Sequence, residues 1–265
     1  MESMKLWENG TPYYDPAIGQ EETTLTPYLV KNGNPDKGLV IVCPGGGYGI
    51  RAFHEGEPIA QMLNAAGISA VVLNYRLAPY RHPVELADAN RAVRFVRYHA
   101  AEWEINPEKI GILGFSAGGH LAVSACEHYD SGKTDGDEID RVSSRPNAGI
   151  FCYPVVTFRD GPYINKGTRD NLLGNEPDGA LIDYLTGEDN VPDDCPPCFM
   201  WHTAEDGGVP VENSLMLAAA LSKKKIPFEL HVFPYGHHGL GLAPENESVR
   251  QWAPLLVKWL KLYKF

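Results

Sequence analysis

Short, continuous apolar runs recur along the chain, each leading into a glycine-rich loop or a helical stretch. The clearest are 38–43 (GLVIVC), 69–75 (SAVVLNY), 109–113 (KIGIL), 148–155 (AGIFCYPV), 198–202 (CFMWH) and 228–233 (FELHVF), with 25–30 a further candidate strand. Most do not alternate polar with apolar residues, so both faces of each strand must be buried. Parallel strands covered on both sides meet that condition. Helical spacing fills the gaps, at 57–66, 83–101, 117–128, 211–223 and 248–261. In 83–101 Leu86, Ala89, Val93, Val96 and Ala100 fall on one stripe with arginines between them, and Pro83 suits a first helical position. Right-handed crossovers then place helices on both faces of one sheet. The fold class is α/β, and 265 residues suit a single domain over 1–265.

Two stretches break the rhythm. Residues 127–145 are rich in Asp, Gly and Ser and read as an exposed loop. Residues 158–194 hold no clean strand and read as a partly irregular segment near the edge of the site.

Composition narrows the partners. The formal charge of −11 is the wrong sign for nucleic acid or an anionic membrane surface. No window approaches the roughly 20 apolar residues of a membrane helix. The first residues, MESMKLWENG, lack the basic and apolar regions of a secretory signal. Five cysteines without such a signal point to a reducing, cytoplasmic compartment. Cys195-Pro-Pro-Cys198 has CxxC spacing, but no second ligand pair stands out to complete a zinc site.

Chemistry concentrates at the carboxyl ends of the strands, where sheets of this class form their sites. Gly114-Phe-Ser-Ala-Gly-Gly-His120 follows the run 109–113 and opens a small-residue helix. Serine before a helix is commonly a cap. A serine flanked by small residues on a tight strand-to-helix turn can instead hold its hydroxyl above the sheet as a nucleophile. That hydroxyl needs a base to take its proton. An acid and then a histidine should follow in chain order. Glu205 and Asp206 lie in the loop after 198–202, and Asp206, before Gly-Gly-Val-Pro, is the preferred acid. His237 and His238 both lie in the loop after 228–233, and spacing alone does not separate them. Gly45 to Gly47, after 38–43, offer backbone N–H groups for an oxyanion, and the N–H of Ala117 would complete the set. A phosphate cradle is the weaker reading of these glycines, because neither Gly-Lys-Ser/Thr nor GxGxxG accompanies them. Four elements in the right order make Ser116 the expected nucleophile.

The same residues resemble the α/β-hydrolase superfamily, within it the hormone-sensitive-lipase-like and acetyl-xylan-esterase-like branch. The likeness runs through PGGGY (44–48), NYRLAP (74–79), GFSAGGHLA (114–122), NLLG (171–174), PPCF (196–199), DGGVPVENS (206–214) and HGLGL (238–242). The resemblance implies a mostly parallel central sheet with helices on both faces. It implies Ser116 as nucleophile, Asp206 as acid, His238 rather than His237 as base, and Gly46, Gly47 and Ala117 as the oxyanion hole. Many relatives carry a histidine where this chain has Pro44, a departure that bears on the loop's hydrogen bonding and leaves its N–H donors in place. Hydrolysis of short acyl esters follows, with acetyl groups on xylo-oligosaccharides a natural substrate and no metal or organic cofactor. Glycoside hydrolysis would want a carboxylate pair flanking the bond, and none stands out. Amide or peptide hydrolysis on the same residues, or a non-catalytic binder on the same fold, are the rival readings. The resemblance allows a homodimer, which the residues themselves leave open.

Tyr48 is expected to be substrate-binding, lining the acyl pocket, with packing the alternative. Asp88 reads as a solvated i,i+3 partner of Arg91, His120 as packing behind the serine turn, and Trp201 as core.

Overall fold

The computed structural model describes every residue except 1, 9, 21 and 32–35. Eight strands form one sheet: β1 (Met4–Lys5), β2 (Thr24–Tyr28), β3 (Leu39–Cys43), β4 (Ser69–Asn74), β5 (Ile110–Phe115), β6 (Ala148–Cys152), β7 (Cys198–Thr203) and β8 (Phe228–Phe233). Their order is β1-β2-β4-β3-β5-β6-β7-β8. β1 and β2 are antiparallel to their neighbours, and every pairing from β4 to β8 is parallel. β3, β5, β6 and β7 are buried along their whole length, as their unbroken apolar runs require. The edge strand β8 is partly exposed along its whole length. β1 is two residues long, too short to leave a periodic signal in the sequence.

The principal helices are α1 (Glu57–Ala65), α2 (Val84–Tyr98), α3 (Ser116–Glu127), α4 (Lys166–Leu173), α5 (Gly179–Tyr184), α6 (Gly187–Asn190), α7 (Glu212–Lys224) and α8 (Trp252–Leu262). Two apolar clusters lie on opposite faces of the sheet. One gathers α2, α3 and α7 over Ile41, Ile112 and Met200, and the other gathers α1 and α8 over Val42, Leu113 and Trp201. No helix among the described residues is long and apolar enough to cross a membrane. Segment 158–194 contains α4, α5 and α6, all short, with caps from Asn165 and Asp178 on the first two.

The arginine-rich helix corrects one expectation. Asp88 is fully buried and receives Arg76 Nε at 2.9 Å, Arg76 Nη2 at 2.7 Å and Trp7 Nε1 at 3.0 Å. Arg91, also buried, turns away to Asp137 and Asp140, and Arg94 pairs with Asp130. The i,i+3 neighbours thus serve different networks, because each is desolvated and takes a partner from outside the helix. The same arginines tie down 127–145, where Ile139 and Ser144 are buried, so this loop is less exposed than its composition suggests.

Glu85, in the first turn of α2, is buried with neither carboxyl oxygen hydrogen-bonded to a described residue. Burial, with its own backbone N–H and Arg76 opposing and Asp88 adding, pushes its acid up to about 8. In the unfolded chain it ionises near pH ~4.3. Between those values the folded state holds one more proton, so this group makes stability fall as pH rises through that window. Glu85→Gln is therefore expected to stabilise the chain at pH 8 by roughly 1–4 kcal/mol and to have little effect at pH 4. Urea denaturation of both proteins at the two pH values measures the difference, and equal gaps at both would contradict it.

Candidate active site

Ser116 stands where β5 gives way to α3. Its φ of 51° lies in the left-handed region that L-residues rarely adopt. Close approach of neighbouring backbone makes the turn possible. A Cβ on Gly114 would lie 1.9 Å from Gly118 O, and one on Gly118 would lie 2.2 Å from Cys43 O. The two glycines therefore let the serine turn pack against β3.

Three side chains from three loops meet here. His238 Nε2 lies 2.8 Å from Ser116 Oγ, and His238 Nδ1 lies 2.7 Å from Asp206 Oδ2. Asp206 Oδ1 accepts from the N–H groups of Gly208 (2.8 Å) and Val209 (2.9 Å), which fixes the carboxylate in its turn. Burial works against its ionisation, yet hydrogen bonds from His202 and His238 prevail and hold it well below the usual carboxylate range. An ionised Oδ2 accepts the Nδ1–H of His238, which leaves Nε2 as an acceptor for the Ser116 hydroxyl.

The alternatives left open by spacing fall elsewhere. His237 is exposed, and its Nδ1 donates to the backbone oxygen of His238. Glu205 Oε1 accepts from Gly236 N at 2.8 Å and so braces the histidine loop.

A cleft of about 350 Å³ opens over Ser116 and His238. Its lining includes Gly46, Gly47, Ala52, His54 and Glu55, together with Asn165, Gly167, Thr168 and Asn171. Gly46 and Gly47 line it beside Ser116, and no hydrogen bond within the described residues engages their N–H groups. Ala117 is the second residue of α3, so its N–H has no intrahelical carbonyl to pair with. The loop is pinned without a histidine at position 44. Tyr75 Oη donates to Pro44 O at 2.5 Å, Gly45 N donates to Glu55 Oε2 at 2.8 Å, and Asn171 Nδ2 donates to Gly47 O at 2.7 Å.

Tyr48 does not line this cleft, contrary to the expectation from sequence. Its positive φ of 58° turns the side chain into the core, where it is 1% exposed. Its hydroxyl meets His120 Nδ1 at 2.9 Å, and the ring stands edge-on to Tyr75 and His120. His120 is buried behind the serine turn, its Nε2 donating to Leu185 O, and Trp201 is core.

Several neighbours of the site escape a reading of the sequence. Asn165 belongs to a segment without strong periodicity, and Asn171 enters only as the first residue of the NLLG stretch, with nothing to say that it meets the glycine loop. His202 looks like an ordinary strand residue, yet it contacts Asp206 at 3.4 Å. Glu55 is a single acid in a loop. Tyr153 carries a positional hint, since it follows β6 at the sheet edge from which the loops of Ser116, Asp206 and His238 emerge.

The fold and this arrangement define an α/β hydrolase of the esterase type. The chain belongs to the BD-FAE family, whose model matches residues 25–221. It is 39% identical over 252 residues to endo-1,4-beta-xylanase B of Butyrivibrio fibrisolvens, covering 94% of this chain and 39% of that protein. It is 32% identical over 235 residues to an acetylxylan esterase of Xylanibacter ruminicola, covering 86% of this chain and 46% of that one. This chain therefore spans less than half the length of these two curated relatives. The crystal structure of an acetyl ester-xyloside bifunctional hydrolase from Caldicellulosiruptor lactoaceticus superposes with a TM-score of 0.96 at 46% identity, covering 100% of this chain and 97% of that one.

Proposed function

We propose that this protein is a serine carboxylesterase that removes short acyl groups, acetyl above all, from hydroxylated alcohols such as xylo-oligosaccharides. The observation that carries this reading is the continuous hydrogen-bonded series from Asp206 through His238 to Ser116, beside the N–H groups of Gly46 and Gly47. In the proposed reaction Ser116 Oγ attacks the ester carbonyl carbon while His238 Nε2 takes its proton. Asp206 holds the imidazole in the useful tautomer and stabilises its cationic form. Charge developing on the carbonyl oxygen meets the N–H groups of Gly46, Gly47 and Ala117. The tetrahedral adduct collapses to an acyl-serine as His238 returns the proton to the departing alcohol. Water, deprotonated by His238 in turn, then releases the carboxylic acid.

Substrate class is supported by the cleft lining. Glycines, one alanine and polar side chains suit a small acyl group and an alcohol rich in hydroxyls. The names of the relatives from X. ruminicola and C. lactoaceticus point the same way. We also propose a cytoplasmic location, supported by the five free, buried cysteines, which suit a reducing compartment.

Acetate release from acetylated xylo-oligosaccharides tests the substrate, with 4-nitrophenyl acetate and 4-nitrophenyl hexanoate alongside. The expected order is acetate over hexanoate by about tenfold or more in kcat/KM, the range of a pocket that discriminates methylenes. Cleavage of 4-nitrophenyl acetate without release from the oligosaccharides would remove the carbohydrate assignment and keep the esterase. Preferred turnover of matched anilides would point to an amidase instead.

A further inference from the structure

Glu55 lines the cleft yet is only 2% exposed, and the chemistry proposed above gives it no task. Both of its carboxyl oxygens are committed. Oε2 accepts from Gly45 N at 2.8 Å, and Oε1 accepts from the Tyr153 hydroxyl at 2.6 Å. Tyr153 Oη in turn accepts from Gly241 N at 2.9 Å, three residues beyond His238, and its ring stands edge-on to the His238 ring at 5.0 Å. The adjacent His54 donates from Nε2 to Gly239 O at 2.8 Å. The turn 53–55 thus grips both the glycine loop and the histidine loop. Packing leaves little slack, because a Cβ on Gly45 would lie 2.7 Å from Glu55 Oε2 and 2.6 Å from Phe115 O.

The geometry points to Glu55 as a positioning residue that, with Tyr153, sets the oxyanion loop and the histidine loop at a fixed separation. This inference rests on the esterase reading and adds to it the group that keeps two independent loops in register. Gly45 immediately precedes Gly46, so the orientation of the Gly46 peptide follows from how the Gly45 N–H is held. Preorganised donors lower the barrier only if they already point to where the oxyanion will form. A buried acceptor on the neighbouring peptide supplies that fixity. Pro44 makes this more important here, since its ring offers the loop no hydrogen-bonding side chain and no N–H.

The test separates holding the transition state from holding the fold. A trifluoromethyl ketone adds reversibly to the serine: Ser116 Oγ bonds to the carbonyl carbon, its proton passes to His238, and the former carbonyl oxygen takes the negative charge. Its inhibition constant therefore reports oxyanion stabilisation, whereas KM for 4-nitrophenyl acetate reports the cleft more broadly. All rates are taken per active site, titrated with an organophosphate. Glu55→Leu is expected to raise the inhibition constant and lower kcat/KM in parallel by about 100-fold, the scale of a lost oxyanion donor, with KM within about threefold of wild type. Glu55→Gln keeps an oxygen for Gly45 N–H and should recover to within about tenfold of wild type. Tyr153→Phe, which cuts the link to Gly241, should lose about tenfold in both measures.

Wild-type values per titrated site in both Glu55→Leu and Tyr153→Phe would overturn the assignment. If Glu55→Leu does not fold, an unchanged Tyr153→Phe overturns it alone. Equal losses in Glu55→Gln and Glu55→Leu would also overturn it, since the acceptor would then not be what matters. Failure of the underlying esterase reading shows separately, as Ser116→Ala retaining full turnover, and takes this inference down with it.

Discussion

Ser116→Ala is expected to lower kcat/KM for 4-nitrophenyl acetate by about 10⁴-fold or more, the range found when the nucleophile of such a series is removed. The residue left in place has no oxygen to form the acyl intermediate, so only the N–H groups and the cleft remain to act on a water. Among the described residues the Oγ of Ser116 makes one side-chain hydrogen bond, to His238 Nε2 at 2.8 Å. Its removal therefore leaves the surrounding loops their own anchors. Circular dichroism should match wild type while turnover is lost. Folded Ser116→Ala that turns over at more than about a hundredth of the wild-type rate would place the nucleophile elsewhere, since nucleophile losses of about 10⁴ leave no room for it.

Asp206→Asn is expected to cost about 10⁴-fold in kcat, for a reason that can be read from the turn. Oδ1 is held by two backbone N–H groups, so the amide oxygen of an asparagine will occupy that position and its NH₂ must replace Oδ2. That NH₂ faces His238 Nδ1 and can only donate to it. The imidazole is then forced to carry its proton on Nε2, where it no longer accepts from Ser116. Steady-state kinetics over pH 5–9 would show the loss, and an asparagine variant within tenfold of wild type would refute the tautomer argument. A stability effect accompanies it. Because its folded acid is depressed, Asp206 contributes stability above its unfolded value of about 3.9, and that share fades as pH falls through the lower folded value. The stability gap between the two proteins should therefore narrow in strong acid.

Legibility in the sequence followed the kind of force involved. β3, β5, β6 and β7 were readable because burial on both faces demands an unbroken apolar run, a signal carried by each segment alone. The placement of Ser116 was readable because a tight turn demands small neighbours at fixed offsets. Asp88 was misread because a run of arginines looks solvated until their long-range partners at 130, 137 and 140 are known. Tyr48 was misread because its place beside the glycines says nothing of the φ that turns it inward. Glu55 and Tyr153 are 98 positions apart, and no local pattern announces such a pair.

The left-handed backbone of Ser116 has a consequence for how this protein can be improved. A glycine there would accept the same φ without strain, a relief on the order of 1 kcal/mol that is offset in part by the freedom glycine loses on folding. With Ser116 as the proposed nucleophile, a selection for heat resistance alone has no reason to keep the hydroxyl that the proposed chemistry needs. Thermostability in this chain has to be sought away from the serine turn, for instance at Glu85, where no reactive group stands in the way.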